Sequence, residues 1–168
     1  MLFAAAHQQS KPFKVIPILY GVKMKFRLLA FLAVCAFFTT SCKIAQDIQP
    51  VTVDVREIAV IDNPQVLRDD FGAALESELR GLGIQVNRLP QDATPKDSEF
   101  VLTYTANWSW DLAMYLCYAE LRVFQKGQPI ASAVYDSRFG SANMNKFVKA
   151  GTKLRELVGL LFPQRATR

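Results

Sequence analysis

The chain has 168 residues with 20 basic and 15 acidic side chains, a formal charge of +5, and a single histidine, His7. Lys11, Lys14, Lys23, Lys25 and Arg27 precede Cys42 with no acid among them; taking those five from 20 leaves 15 bases against 15 acids, so residues 42 to 168 are neutral. The excess that would suggest a nucleic-acid partner therefore lies ahead of Cys42, and with no histidine beyond position 7, Ser-His and Cys-His hydrolysis and the usual histidine zinc sites are excluded for the rest.

Residues 24 to 42 carry the strongest pattern. Met24, Lys25 and Arg27 form a short cationic start, Leu28 to Phe38 an apolar run, and Thr39, Thr40, Ser41 and Cys42 a small-residue end. A cationic segment, an apolar core of roughly 7 to 15 residues and a small-residue cleavage site are the parts of an export signal. An uncut span needs about 20 apolar residues, and this run is little more than half of that. The segment resembles a bacterial lipoprotein signal, with residues 24 to 41 removed and Cys42 left as the acylated first mature residue. Thr39 departs from the usual lipoprotein box, which has Leu three positions before the cysteine. Residues 1 to 23 place a second semi-apolar stretch, Val15 to Val22, ahead of the cationic start, which is most simply read as a mis-assigned start codon with Met24 as the initiator.

Past Cys42, residues 42 to 50 read as a lipid-anchored tether ending at Pro50, and residues 51 to 168 as a single domain. Val51, Val53 and Val55 alternate with polar neighbours and Ile58 to Ile61 form an apolar run, together one strand or a bulged pair. Asn63-Pro64 has the form of a helix start. Leu67, Phe71, Ala74, Leu75, Leu79 and Leu82 follow at helical spacing, with Asp69 and Asp70 complementing the macrodipole and Gly81 and Gly83 marking the stop. Ile84 to Leu89 is a short strand and Pro90 to Asp97 a polar loop. From Phe100 to Trp110 the period is two, with Phe100, Leu102, Tyr104, Ala106, Trp108 and Trp110 on one face. Tyr115, Cys117, Ala119, Leu121 and Val123 repeat it, Lys126-Gly127 turns the chain, and Ile130 to Asp136 completes an antiparallel meander.

A second helix begins near Asn143 to Asn145 and presents Met144, Phe147, Val148, Gly151, Leu154, Val158 and Leu161 inward, with Lys146, Lys149 and Lys153 on its outer face, ending before Pro163. Residues 138 to 168 carry seven bases against Glu156 alone. This basic element is either a solvated helix face or a surface for anionic headgroups.

The expected fold is α+β: a two-layer sandwich of a mostly antiparallel sheet with two amphipathic helices on one face, in the order β-α-β-β-β-α, or with one more strand before the meander. Of the three cysteines, Cys35 leaves with the signal and Cys42 is acylated, so Cys117 stands alone in an apolar strand, where a free thiol behaves as a small hydrophobe. No catalytic or metal-binding set and no cofactor motif is visible.

Trp108-Ser109-Trp110-Asp111-Leu112-Ala113-Met114-Tyr115-Leu116, followed by Ala119-Glu120-Leu121, resembles the W-S-W-D-L-A-x-Y-L signature of a family of small uncharacterised proteobacterial lipoproteins. The likeness extends to Asn63-Pro64, the strand from Ala131 to Tyr135 and the basic final helix. It implies an address and a fold rather than an activity. The layout also looks like the small α+β domains of lipoproteins that assist envelope assembly or transport.

Trp108, Trp110, Asp111, Tyr115 and Tyr118 are the candidate partner or ligand surface, because Trp and Tyr at a loop rim are common binding anchors; the alternative is that they simply fill the end of a strand pair. Exposure of Trp110 beside a buried Trp108 would favour binding. The expected function is that of a periplasm-facing outer-membrane lipoprotein, a non-enzymatic binding or envelope-assembly accessory. It would be held to the membrane at Cys42 and engage an envelope protein, with no nucleic-acid partner. The alternative is a lipid-handling protein or a carboxylate enzyme using an aromatic pocket. Lys43 is not the Asp that retains enterobacterial-type lipoproteins in the inner membrane, which points to the outer membrane.

Overall fold

The computed structural model describes residues 43 to 166 except 67, 69, 141 and 142. The signal segment, Cys42, Leu67 and Asp69 therefore lie outside the described residues. Six strands form one mixed sheet in the order β1-β6-β5-β4-β2-β3: β1 (Ala45–Gln49), β2 (Glu57–Ile61), β3 (Gln85–Leu89), β4 (Phe100–Asp111), β5 (Ala113–Gln125) and β6 (Gln128–Asp136). The helices are α1 (Asp70–Gly81), α2 (Ala150–Leu161) and the single turn α3 (Pro163–Ala166), with a 3₁₀ turn at Met144–Phe147. The fold is the expected α+β sandwich with one strand added at the front.

That added strand, β1, replaces the tether expected over residues 42 to 50. Its sequence AQDIQ lacks apolar alternation, and it is held by its backbone ladder to β6, from Ala45 opposite Asp136 to Gln49 opposite Ser132. Residues 51 to 55, expected to be a strand, are irregular instead. Val51 and Val55 are buried, but the Val51 N–H donates to the Leu161 carbonyl at 2.8 Å, satisfying the open end of α2 rather than a neighbouring strand.

β2, α1 and β3 form a parallel βαβ unit, and β2 also pairs in parallel with β4. β4, β5, β6 and β1 are antiparallel neighbours. The β5–β6 hairpin turns at Lys126 and Gly127, whose φ of 50° and 82° fit the twist such a two-residue turn requires. Asn63-Pro64 does not begin the helix. The Asn63 side chain accepts from the Gln65 N–H at 3.0 Å and donates to the Tyr104 carbonyl at 2.7 Å, so it closes a turn that ties the approach of α1 to β4.

Both helices bury their stripes on one sheet face. Phe71, Leu75 and Leu79 of α1 meet Leu154, Leu157, Val158 and Leu161 of α2 over Leu102, Ala119, Leu121 and Ala133. The opposite face carries a smaller cluster, Ala59, Ile61 and Val101, with Ala93 of the polar loop and Phe124 packed against it.

The second helix departs from its expected form. The chain makes a 3₁₀ turn over Met144–Phe147, breaks at Val148 and Lys149, and restarts as α2. At three residues per turn the faces rotate relative to an α-helix, so Met144 is exposed and Lys146, expected on the outer face, is buried. The bases of this region meet acids elsewhere: Arg138 with Asp136 at 2.6 Å, Lys153 with Glu156 at 2.7 Å, Arg155 with Glu78 at 3.1 Å and Arg165 with Asp54 at 2.7 Å. Much of its local excess is thus paired with carboxylates, which argues against a free basic surface for anionic headgroups, while the low exposure of the Lys146, Lys153 and Arg165 side chains shows that these bases do not form a solvated face either.

Candidate functional site

β4 and β5 are longer than the strands beside them. Ala45, Asp136, Tyr118 and Asn107 form one row across β1, β6, β5 and β4, and beyond that row only the β4–β5 hairpin continues as sheet. The overhang is steered by a bulge. Asn107 pairs with Tyr118 but Trp108 pairs with Leu116, so Cys117 has no partner of its own, and its thiol donates to the Asn107 carbonyl at 3.3 Å. The extra residue shifts the phase of β5. Leu116 therefore joins the main core, whereas Tyr115, expected on the face of Ala119 and Leu121, belongs to neither apolar cluster. Burial raises the Cys117 thiol above its ordinary pKa, which is the setting of a packing residue rather than a nucleophile.

Trp108 is half-buried, edge-on to Phe71 at 5.7 Å between ring centroids, with the Arg68 guanidinium 5.8 Å from its ring. It lines an open groove of about 660 Å³ together with Gln65, Arg68, Ala106, Asn107 and Met114. Trp110, two positions along β4, is 71% exposed, Leu112 at the turn is 80% exposed with φ of 60°, and Met114 is 53% exposed. Trp110 is thus exposed as a contact surface requires, while Trp108, expected to be buried, is only half-buried, so the expected contrast is met in part.

Asp111 faces the other way and pairs with Lys146 of the 3₁₀ turn. The Lys146 ammonium lies 5.2 Å from both the Tyr115 and Phe147 ring centroids, and those two rings meet edge-on at 5.4 Å. A buried lysine between two aromatic faces is stabilised by their quadrupoles. Sequence reasoning assigned Lys146 to solvent and so missed it.

Tyr118 belongs to neither group. Its hydroxyl donates to Glu120 at 3.0 Å and the Arg138 guanidinium stacks 4.6 Å from its ring, within a chain of ion pairs that includes Asp136 and Arg122. Burial and the Glu120 carboxylate raise its pKa. The five predicted site residues thus split three ways: Trp108 and Trp110 on one face, Asp111 and Tyr115 clamped by Lys146 and Phe147, and Tyr118 in a polar lattice. They line a projecting arm and its footing rather than one pocket.

The apolar exposure extends past the hairpin. Phe139 and Met144 are also exposed. The chain leading to Phe139 leaves β6 along the β5 edge, where the Ser137 N–H donates to the Cys117 carbonyl at 2.8 Å and the Ser137 hydroxyl to the Leu116 carbonyl at 3.2 Å, and the 3₁₀ turn that begins at Met144 meets Tyr115 of β5 through Phe147.

No known family's sequence profile matches the chain, and no curated protein matches it. Among solved structures, a point variant of the PelC dodecamer from Paraburkholderia phytofirmans is similar at 16% identity and a TM-score of 0.46, covering 75% of this chain and 98% of that one. The PelC dodecamer from the same organism is similar at 18% identity and a TM-score of 0.46, covering 71% and 98%.

Proposed function

We propose that the chain is an acyl-anchored accessory protein of the bacterial envelope, non-enzymatic, set on the periplasmic face of the outer membrane through Cys42. Its contact with another envelope component is made by the end bearing the β4–β5 hairpin. The observation that carries this reading is the arm itself: Trp110, Leu112 and Met114 present large apolar surface at the tip of a hairpin whose base is clamped by Lys146 and Phe147. Exposed apolar groups gathered in one place mark interaction surfaces, whereas singly scattered ones do not. The signal from Met24 to Ser41, the acylation candidate Cys42 and Lys43 after it support the address.

A photoreactive residue placed at position 110 in the full-length protein, and separately at Gln128 in the β5–β6 turn at the opposite end, tests this in cells. Position 110 is expected to form covalent adducts with lipid or protein of the envelope while position 128 forms few. Equal yields at the two ends would overturn the assignment of the hairpin end as the working surface.

A further inference from the structure

We propose that the β4–β5 hairpin tip seats in the same bilayer that receives the acyl chains of Cys42, with Trp110 and Leu112 at its headgroup boundary. This rests on the reading of Cys42 as the acylated residue.

The argument is one of position. The row Ala45–Asp136–Tyr118–Asn107 sets a level across the sheet. From that level β4 runs four residues further, from Asn107 to Asp111, which at about 3.3 Å per residue carries the hairpin turn some 13 Å past it. β1 enters the sheet at the same level and from the same side, because its first residue, Ala45, pairs with Asp136. Cys42 precedes Ala45 by three residues in sequence, a length of chain that spans at most about 10 Å. The start of β1 and the hairpin therefore leave the sheet on the same side, and an acyl anchor on Cys42 is tethered within about 10 Å of the level from which the hairpin rises. Laterally, β1 is separated from β5 only by β6, which at about 4.8 Å per strand puts the two exits some 10 Å apart. A lipid surface that holds one must pass close to the other.

The side chains at that end suit a lipid interface. Tryptophan is favoured at the headgroup level, and Leu, Met and Phe below it. Trp110, Leu112, Met114, Phe139 and Met144 are all exposed, and all lie on the hairpin or on the segment from the end of β6 to the 3₁₀ turn. Gly140 of that segment packs against Ile44, where an added Cβ would lie 3.4 Å from the Ile44 side chain, so the segment also adjoins the chain leading to Cys42. The charges between them are paired, Asp111 with Lys146 and Asp136 with Arg138. Such pairing lowers the cost of approaching hydrocarbon and leaves little net charge to attract anionic lipid. The contact of the hairpin tip is therefore mainly apolar, and the exposed Lys43 next to Cys42 in sequence is a charge that salt would screen.

The experiment uses the full-length acylated protein carrying Trp108→Phe, so that Trp110 is the sole tryptophan reporter. It is reconstituted in protein-free vesicles of phosphatidylethanolamine and phosphatidylglycerol, with and without lipids brominated along the acyl chain. The expected result is a blue-shifted Trp110 emission, most of it lost in brominated vesicles, little changed by added salt and protected from aqueous iodide. Introducing Leu112→Asp, with the fold checked by far-ultraviolet circular dichroism, is expected to restore iodide access while the protein stays anchored.

Trp110 open to iodide and unaffected by bromine, in a protein still held by its acyl chains, would overturn the inference and leave the anchor standing. Shielding that grows with protein density but without bromine quenching would assign the tip to a second copy and overturn it as well. Bromine quenching in a protein that carries no acyl group on Cys42 would instead overturn the lipoprotein reading and leave the tip as a membrane-seeking element.

Discussion

Lys146 and Asp111 form an ion pair of unequal partners: the lysine side chain is 4% exposed and the aspartate 51%. The pair ties the arm to the 3₁₀ turn, and its energetics are dominated by the buried ammonium. Removing the countercharge from a buried ion costs more than replacing the ion itself by an apolar chain of similar shape. Asp111→Asn is therefore expected to destabilise the fold by about 1 to 3 kcal/mol, less than for a fully buried pair because Asp111 meets water. Lys146→Met, which keeps the stem between Tyr115 and Phe147, should be neutral or stabilising. Urea unfolding of the two variants checks the order, and a more stable Asp111→Asn protein would contradict it.

Glu76 anchors α1 to β3. Its carboxylate, 9% exposed, accepts from Arg80 at 2.9 Å and from Arg88 at 2.7 Å. Burial alone would raise its pKa, but the two guanidinium hydrogen bonds and their charges outweigh it and hold the group below the ordinary glutamate value. Because the folded value lies below the unfolded one, this contribution is complete above the ordinary glutamate range and is lost as pH falls through the lowered folded value. Glu76→Gln is expected to cost about 1 to 3 kcal/mol at neutral pH and to flatten the acid limb of the stability profile. Parallel acid limbs for the two proteins would show that Glu76 does not carry it.

Two helical glycines should respond to alanine with opposite signs. A Cβ on Gly72 would lie 2.6 Å from the Tyr104 hydroxyl, which accepts from the Asn63 N–H at 3.3 Å and donates to Asp62 at 3.4 Å. Gly159 in α2 has nothing within 4 Å of its built Cβ. Gly159→Ala should add about 0.5 to 1 kcal/mol through helix propensity. Gly72→Ala should lose about 1 to 3 kcal/mol by displacing Tyr104 and the turn at Asn63. Thermal unfolding of both variants gives the signs directly.

How much of this was legible follows from where the chain's local signals and its pairings coincide. α1 was readable because Phe71, Leu75 and Leu79 keep a period of 3.6, and β4 because its period of two runs unbroken from Leu102 to Trp108. β1 was not, because Ala45 to Gln49 owes its conformation to β6, which lies far along the chain. The parallel pairing of β2 was equally hidden, since no local pattern distinguishes a βαβ crossover from a hairpin return. At the candidate site, the exposed Trp110 and half-buried Trp108 were singled out by residue type. Tyr115 and Lys146 were misplaced because a bulge at Cys117 and a 3₁₀ turn each rotate the chain, and neither leaves a mark in the spacing of apolar residues.

Acylation at Cys42 predicts a specific failure. One acyl chain holds a protein only marginally, whereas two or more hold it stably. Cys42→Ser in the full-length protein should lose palmitate labelling and either remain an uncut precursor or be released as soluble protein. Continued labelling would move the modification to Cys35 or Cys117.

Leu112 offers the sharpest separation of stability from function. It sits alone between Asp111 and Ala113, which pair with each other, and its φ of 60° is the left-handed region that a branched side chain enters at a cost of about 1 to 2 kcal/mol. At 80% exposure it recovers none of that by packing. Glycine would relieve the strain, although its freedom in the unfolded chain returns about 0.5 to 1 kcal/mol. Leu112→Gly should therefore leave the fold equally stable or more stable by up to about 1.5 kcal/mol. A strained, exposed leucine at the turn is what a tip selected for apolar contact would carry. The same variant should accordingly weaken the seating of the hairpin in the bilayer, read as reduced quenching of Trp110 by brominated lipid. Unchanged quenching together with raised stability would leave Leu112 without a part in membrane contact. A large loss of stability would show instead that the leucine side chain supports the fold.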